Sequence, residues 1–236
     1  MTRVLRAGAL ALVCSLGAAM GAGAAQAPGP ARLDTLRVAL AAAGGDDVAL
    51  GVRLGIEESR HTGALLGLVV ELAADTGDSR LAALIGGNDD AACRKLADAA
   101  ARRGIPYLNT GCGAADLRDT SRYPAAFHVA ALDSAGAAGA LWRPSLTRYG
   151  AAQLNERFTE RFQRPMTSGA WAGWMAVKIM AETALRARTA EPRVVVARLR
   201  MPRTRFDGHK GVPLVFDAGH QLVQPTYAGA PTGEER

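Results

Sequence analysis

Two tracts of the sequence combine glycine with polar side chains in the manner of solute-binding loops. Gly87, Asn88 and Asp89 follow the apolar run 82–86, and Asn109, Thr110 and Gly111 follow the apolar run 105–108. Free backbone N–H groups at the start of a helix attract a ligand carboxylate. We therefore predict ligand binding by these six residues. The alternative is a plain helix N-cap for the first tract and a turn shaped by Gly111 for the second.

Other reactive residue types are not arranged for catalysis or metal binding. The sequence has no Gly-x-Ser-x-Gly, His-Glu-x-x-His or Cys-x-x-Cys motif, and adjacent carboxylates such as Glu57 and Glu58 diverge on a helix. One cluster in the sequence combines residue types that bind metals, but its Phe-Asp-Gly-His and Phe-Asp-Ala-Gly-His contexts fit turns better: Asp207, His209, Asp217 and His220. We expect no enzyme activity, no metal and no cofactor.

The first 27 residues have the features of an export signal. Arg3 and Arg6 give the positive start, 7–16 the apolar centre, and 24–27 small residues for cleavage. The apolar run is too short to span a membrane. We therefore predict a periplasmic protein that does not span the membrane.

Two cysteines remain after that signal, Cys93 and Cys112. A pair in an oxidising compartment is more often bridged than free. Cys93 is expected early in a helix and Cys112 just after the next strand, and a helix packed on its own strand can bring such ends within disulfide distance. We predict a Cys93–Cys112 disulfide, with free thiols as the alternative.

The charge balance gives little support to a nucleic-acid partner. The 236 residues include 28 Lys and Arg against 22 Asp and Glu, and removal of the signal leaves 26 against 22. Nucleic-acid binders concentrate basic residues on one face, and only the segment 193–210 comes close. Asp207 is the only acidic residue in this segment, which we interpret as a solvated basic edge. Its basic residues are Arg193, Arg198, Arg200, Arg203, Arg205 and Lys210.

A parallel sheet is the element that would position the two polar tracts. Short apolar runs alternate with helix-like segments, which is typical of a parallel sheet flanked by helices, and such sheets carry their binding loops at the carboxyl ends of the strands. The predicted strands are 36–41, 68–73, 82–86 and 105–108, followed late in the chain by strands within 213–227. The predicted helices are 48–60, 91–103, 151–163 and 167–187.

Two features of these helices carry further expectations. Gly51 and Gly55 share one face of the first helix and would allow close approach to the sheet. Trp171 and Trp174 recur at helical spacing, which favours a place in the core. The alternative for the tryptophans is an aromatic wall for a flat ligand such as a quinone.

The sequence resembles the type I periplasmic substrate-binding proteins, specifically the branched-chain amino-acid and amide group of ABC transporters (leucine-binding-protein-like). The resemblance lies in segments that follow the family's order along the chain: 51–58, 63–71, 83–88, 104–110, 123–129, 158–165 and 206–227. The segments 142–155 and 221–225 are closer to a subgroup associated with pyrroloquinoline quinone (PQQ)-dependent alcohol oxidation.

The resemblance implies one periplasmic-binding-protein-like α/β domain over 35–228. Its predicted parts are a main lobe (35–130 and 151–190), a shortened crossover (131–150) and C-terminal strands (191–228). Separately, the sequence itself predicts disorder at 28–34 and in the Gly/Pro/Glu-rich tail at 229–236. Family members have two lobes around a cleft, and the crossover is too short for the second, so we expect a single trimmed lobe.

The same resemblance implies a binding function. We expect weak or partner-assisted binding of a small polar or zwitterionic solute, with an ABC permease or a quinoprotein system as the possible protein partner. The alternative is a non-catalytic accessory protein of a PQQ-dependent alcohol-oxidation system that has lost solute capture.

Overall fold

The computed structural model describes residues 35–41, 45–130 and 139–227. The predicted export signal (1–27), the lead at 28–34 and the tail from 229 lie outside the described residues. So does 131–138, the first part of the predicted crossover.

The centre of the protein is a five-stranded parallel sheet. Its strands in chain order are β1 (Thr35–Leu40), β2 (Val69–Leu72), β3 (Ala83–Gly86), β4 (Tyr107–Asn109) and β5 (Ala126–His128). Their spatial order is β2-β1-β3-β4-β5, and each neighbouring pair is parallel. The predicted fold class, a parallel sheet flanked by helices, is confirmed.

Five helices accompany the strands: α1 (Gly45–Leu66), α2 (Asp90–Arg103), α3 (Ala151–Phe162), α4 (Ser168–Ala187) and α5 (Pro192–Leu199). A short 3₁₀ helix, Ala115–Arg118, lies between β4 and β5. The helix predicted at 48–60 is longer at both ends. It begins at Gly45, so Asp46 and Asp47 lie in its first turn, where negative charge meets the positive end of the helix dipole.

Alternate residues of the strands enter two different cores. Val38 and Ile85 belong to the core shared with α1 and α4, whereas Ala39 and Leu84 belong to the core shared with α2. This alternation follows from the two-residue period of a strand. The sheet therefore has a helical layer on each face, and the predicted binding residues lie at its carboxyl edge.

Gly51 and Gly55 have a different role from the one predicted. A Cβ at Gly51 would overlap the carbonyl oxygen of Ala170, and one at Gly55 would lie 2.9 Å from Cβ of Val177, both on α4. Gly173 of α4 is equally close to the backbone of Val48. The glycines thus allow α1 to approach α4 rather than the sheet.

The C-terminal part of the chain forms a small antiparallel sheet of β6 (Phe206–Asp207), β7 (Pro213–Phe216) and β8 (Leu222–Val223). It adjoins the main sheet where the His128 N–H donates to the carbonyl of His220 at 2.8 Å. The predicted C-terminal strands began at 191, but the structure has α5 there. Glu191 caps that helix, Pro192 suits its first turn, and Val195, Val196 and Leu199 are buried.

No helix in the described ranges is long and apolar enough to cross a membrane.

Candidate functional site

The two predicted binding loops lie side by side. Gly86 at the end of β3 is the register partner of Asn109 at the end of β4, so the segments 87–89 and 110–112 leave the sheet together. Their backbones are in close contact, because a Cβ at Gly111 would overlap the carbonyl oxygen of Gly87. The structure therefore brings the six predicted residues to one place on the carboxyl edge of the sheet.

Gly87 has a packing role at this edge. Its φ of +98° is one that L side chains rarely adopt, and a Cβ there would overlap Sγ of Cys93 and lie 2.6 Å from the Tyr107 hydroxyl oxygen. The Tyr107 hydroxyl donates to the carbonyl of Gly86 at 3.0 Å. Burial raises the pKa of that hydroxyl, which stays protonated and remains a donor.

Cys93 and Cys112 are paired in the structure. Both are buried, and their Cα atoms are 6.5 Å apart, within the range that a disulfide spans. The pair joins the first turn of α2 to the loop after β4, so it holds the two predicted binding loops against each other.

Asn109 has no hydrogen-bonding capacity left for a ligand. Its side chain is fully buried, and its Oδ1 accepts from the N–H groups of Gly111 (3.1 Å) and Cys112 (2.9 Å). Its Nδ2 donates to the Cys112 carbonyl at 2.8 Å and lies 3.0 Å from Nδ1 of His128. An amide side chain has two donors and two acceptor lone pairs, and all are engaged. Asn109 therefore shapes the loop rather than lining its outer surface.

His128 supports Asn109 from β5. Its Nε2 lies 3.1 Å from the carbonyl of Leu117, which assigns the proton to Nε2 and leaves Nδ1 as the acceptor for Asn109. Burial lowers the pKa of His128 to about 3, and the nearby Arg118 acts in the same direction. The ring is therefore neutral near pH 7, as the acceptor role requires.

Asn88 and Asp89 are both exposed. Asp89 is the N-cap of α2, and its Oδ1 accepts from the N–H of Ala92 at 2.8 Å. The Asn88 side chain forms no hydrogen bond with any residue that the structure describes. Asn88 thus has an amide available to a ligand, whereas one oxygen of Asp89 already caps the helix.

Thr110 has an unusual hydroxyl group. The residue is only 4% exposed, and its Oγ1 is buried without a hydrogen-bond partner among the described residues. Its backbone N–H donates to the Gly86 carbonyl at 3.3 Å. Buried hydroxyls almost always have a partner, so this one is an unsatisfied polar group within the two loops.

A cavity of about 340 Å³ lies at the same edge, beside β1 and β2. Its polar lining residues, Asp46, Asp75 and Thr76, were not among the predicted site residues. Ala41 in its wall lies against Gly86, since a Cβ there would be 3.3 Å from that of Ala41, so the cavity is one strand away from the predicted loops. The sequence predicts a loop after the strand at 68–73. The position of that loop near the predicted site follows only from the order of the strands in the sheet, which the sequence does not reveal.

The remaining candidate residues are structural. Trp171 and Trp174 are buried, as their helical spacing predicts. Asp207 and Asp217 accept backbone N–H groups within their own turns, and His220 contacts the carbonyl of Ala126. No group of three potential ligands among the described residues could hold a metal ion.

Lys210 is buried, although it was predicted to lie on the solvated basic edge. It is 6% exposed, and its Nζ donates to Oε1 of Gln224 (2.7 Å) and to the Pro225 carbonyl (3.0 Å). The ammonium also lies 3.8 Å from the ring centroid of Trp171. Burial lowers the pKa of Lys210 to about 7. This lysine therefore fastens the segment 224–225 to α4 and is not part of a basic surface.

No protein-family model and no curated protein matches the sequence. Solved structures do match. They are substrate-binding proteins of ABC transporters. One from Desulfitobacterium hafniense, in complex with Leu, has a TM-score of 0.64 and 16% identity over 80% of this chain and 94% of that chain.

Two further neighbours agree with the first. LivJ from Streptococcus pneumoniae, a branched-chain amino acid transporter substrate-binding protein in complex with isoleucine, has a TM-score of 0.63 and 12% identity over 81% of this chain and 94% of that one. A solute-binding protein from R. palustris, in complex with benzoate, has a TM-score of 0.61 and 10% identity over 80% and 91%. The chain therefore has the fold of the type I periplasmic binding proteins.

Proposed function

We propose that the protein is a non-enzymatic, periplasmic solute-binding component related to the ABC transporters for amino acids and amides. Its solute is a small polar or zwitterionic molecule that binds at the carboxyl edge of the sheet. The observation that carries the proposal is the buried hydroxyl of Thr110, which has no hydrogen-bond partner among the described residues. The exposed amide of Asn88 lies on the adjoining loop. The structural neighbours in complex with Leu, isoleucine and benzoate suggest a carboxylate-bearing solute.

The charges at the edge favour a zwitterion over a simple anion. Asp46 and Asp75 line the cavity beside β1 and β2, and Asp89 caps the neighbouring helix. An ammonium group would face these carboxylates, while the solute carboxylate would meet the positive N-terminal end of α2. In this arrangement Thr110 and Gly111, which follow β4, lie beside the carboxylate end of the solute.

The proposal includes the trimmed lobe. Only 22 residues separate His128, the end of β5, from Ala151, the start of α3. The described part of that segment, 139–150, contains a single bridge between Ala140 and Tyr227 and otherwise consists of turns, bends and irregular backbone. A solute would therefore be covered on one side by this chain and on the other by a partner, such as an ABC permease, or by water.

The second candidate is an accessory protein of a PQQ-dependent alcohol-oxidation system that has lost solute capture. It is favoured by the state of Asn109, whose side-chain hydrogen bonds are all made within the protein. A loop satisfied in this way keeps its shape without any solute. The resemblance of 142–155 and 221–225 to the PQQ-associated subgroup points to the same partner system.

Thermal unfolding with added solutes tests the first candidate. Leucine, isoleucine, benzoate and PQQ would each be added at millimolar concentration. A ligand at 100 times its dissociation constant adds about 2.7 kcal/mol to the free energy of unfolding. No stabilisation by any of them would refute solute binding and leave the accessory candidate.

A variant of Thr110 separates binding from folding. Thr110→Val removes the hydroxyl and keeps the shape, and it should raise stability by about 1 kcal/mol because no hydrogen bond is lost. It should also abolish the shift caused by the solute. Thr159→Val, at an exposed position of α3, is the matched control and should retain that shift. A full shift in Thr110→Val would move the site elsewhere.

The oligomeric state of the protein also discriminates between the two candidate functions. It can be measured by analytical ultracentrifugation of the purified protein with and without a stabilising solute. A monomer that binds no solute fits the accessory protein, whereas a solute-dependent dimer would supply the second wall of a binding site.

A further inference from the structure

A cavity lined mainly by arginines lies where α4 and α5 end. Its volume is about 510 Å³, and four of its six lining residues carry guanidinium groups: Arg186, Arg198, Met201, Arg203, Thr204 and Arg205. None of the six is acidic. We call it the arginine cavity, and it shares no residue with the candidate solute site.

The sequence gives different reasons for the four arginines. Arg186 and Arg198 lie in the last turns of α4 and α5, where a cation is favoured by the helix dipole. Arg203 and Arg205 lie in the loop before β6, where no helix end accounts for them. These two positions are therefore the ones that need another explanation.

Thr204 sets the direction of the two loop arginines. It is 8% exposed, and its hydroxyl donates to the carbonyl of Arg198 at 2.8 Å. Because Thr204 is anchored inward, Arg203 and Arg205 on either side of it are exposed. The loop thus presents both guanidinium groups at the cavity that Arg186 and Arg198 border.

The positive charge of the cavity is largely uncompensated. Arg186 pairs with Glu182 at 2.7 Å, but Glu182 also pairs with Lys178 at 2.6 Å. Arg186 lies 5.4 Å from the ring centroid of Phe206, which holds its side chain in place. Neither Arg203 nor Arg205 forms an ion pair or hydrogen bond with any residue in the described ranges.

We propose that the arginine cavity binds a phosphate group, either as a free anion or as the headgroup of an anionic phospholipid. Guanidinium groups present paired N–H donors that match the oxygens of a phosphate. A neighbouring cavity shares Arg186 and Arg205 but also contains Asp207. The Asp207 carboxylate in that neighbouring cavity repels an anion, so we expect the phosphate to bind in the arginine cavity, which has no acidic lining residue.

The test compares the purified protein with two variants of equal net charge. Arg203→Gln with Arg205→Gln removes the loop arginines. Arg53→Gln with Arg102→Gln removes two exposed arginines of α1 and α2 that do not line the cavity. All four positions are exposed, and matching thermal midpoints and circular dichroism spectra would establish that both variants are folded.

Two probes distinguish the sources of the phosphate. Calorimetric titration with inorganic phosphate and pyrophosphate measures free-anion binding, and flotation with phosphatidylglycerol or phosphatidylcholine vesicles measures headgroup binding. We expect saturable binding to one of these probes that weakens as salt is raised. The cavity variant should bind roughly tenfold to a hundredfold more weakly, because each lost charged hydrogen-bonding group contributes on the order of a factor of ten, and the control variant should bind normally.

Binding to pyrophosphate or phosphate would identify a free anion as the occupant, and binding only to phosphatidylglycerol vesicles would identify a headgroup. Two results would overturn the proposal. One is no binding to any probe at low salt, and the other is equal weakening in the cavity and control variants, which would reflect net charge alone.

Discussion

Replacement of Gly87 by alanine should destabilise the fold, because both the backbone conformation and the packing at this position oppose a side chain. The backbone φ of +98° opposes a side chain, at a cost of about 1–2 kcal/mol. The new Cβ would also overlap Sγ of Cys93 and crowd the Tyr107 hydroxyl, and overpacking of this kind costs about 1–3 kcal/mol. We therefore expect a loss of roughly 2–5 kcal/mol in the free energy of unfolding.

Gly104→Ala is the matched control. Gly104 also has a positive φ, of 66°, but no atom lies within 4 Å of the Cβ position, so only the conformational cost of about 1–2 kcal/mol applies. Urea denaturation followed by circular dichroism measures both. For a chain of this size 1 kcal/mol corresponds to about 2–4 °C in the melting temperature. Equal losses in the two variants would refute the close packing of Gly87 on the cysteine pair.

Three further predictions concern the cysteine pair and His128, near the carboxyl edge of the main sheet, and Lys210, in the C-terminal part of the described chain. Reduction of the Cys93–Cys112 pair should lower the free energy of unfolding by about 3 kcal/mol; equal urea midpoints with and without reductant would mean free thiols. His128 has a folded pKa of about 3, below its ordinary value of 6.5, so stability should fall as pH drops from 6.5 toward 3, and His128→Asn should flatten this slope in urea midpoints. Lys210 has a folded pKa of about 7 against 10.5, so stability should rise between pH 7 and 10.5, and Lys210→Met should abolish that rise.

The local elements could be predicted because their signals are local. The apolar run 82–86 contains β3, the run 105–108 covers β4 except for Asn109, and the helix N-cap considered for the tract 87–89 is present at Asp89. The end of α1 could not be predicted in this way. Its last residues, Leu65 and Leu66, are 75% and 53% exposed, so they do not continue the buried periodicity that located the helix.

The candidate site was predicted in position but not in chemistry. The sequence indicated that 87–89 and 109–111 would meet at one edge, and they do. It did not indicate that Asn109 would be saturated, because His128 reaches it only through the pairing of β4 with β5. Nor did the spacing reveal the burial of Lys210, since its partners Trp171 and Gln224 come from two other elements.

The saturation of Asn109 limits the affinity that this edge can reach alone. The groups left for a solute on these loops are the Thr110 hydroxyl, the Asn88 amide and N–H groups at the start of α2. A typical hydrogen bond contributes about 0.5–1.5 kcal/mol net, so three of them contribute no more than about 5 kcal/mol. A dissociation constant of about 1 mM already requires about 4.1 kcal/mol, and binding also costs the freedom of the solute. This edge alone should therefore bind in the millimolar range, and micromolar capture would require further contacts that exclude water from the Thr110 side of the sheet.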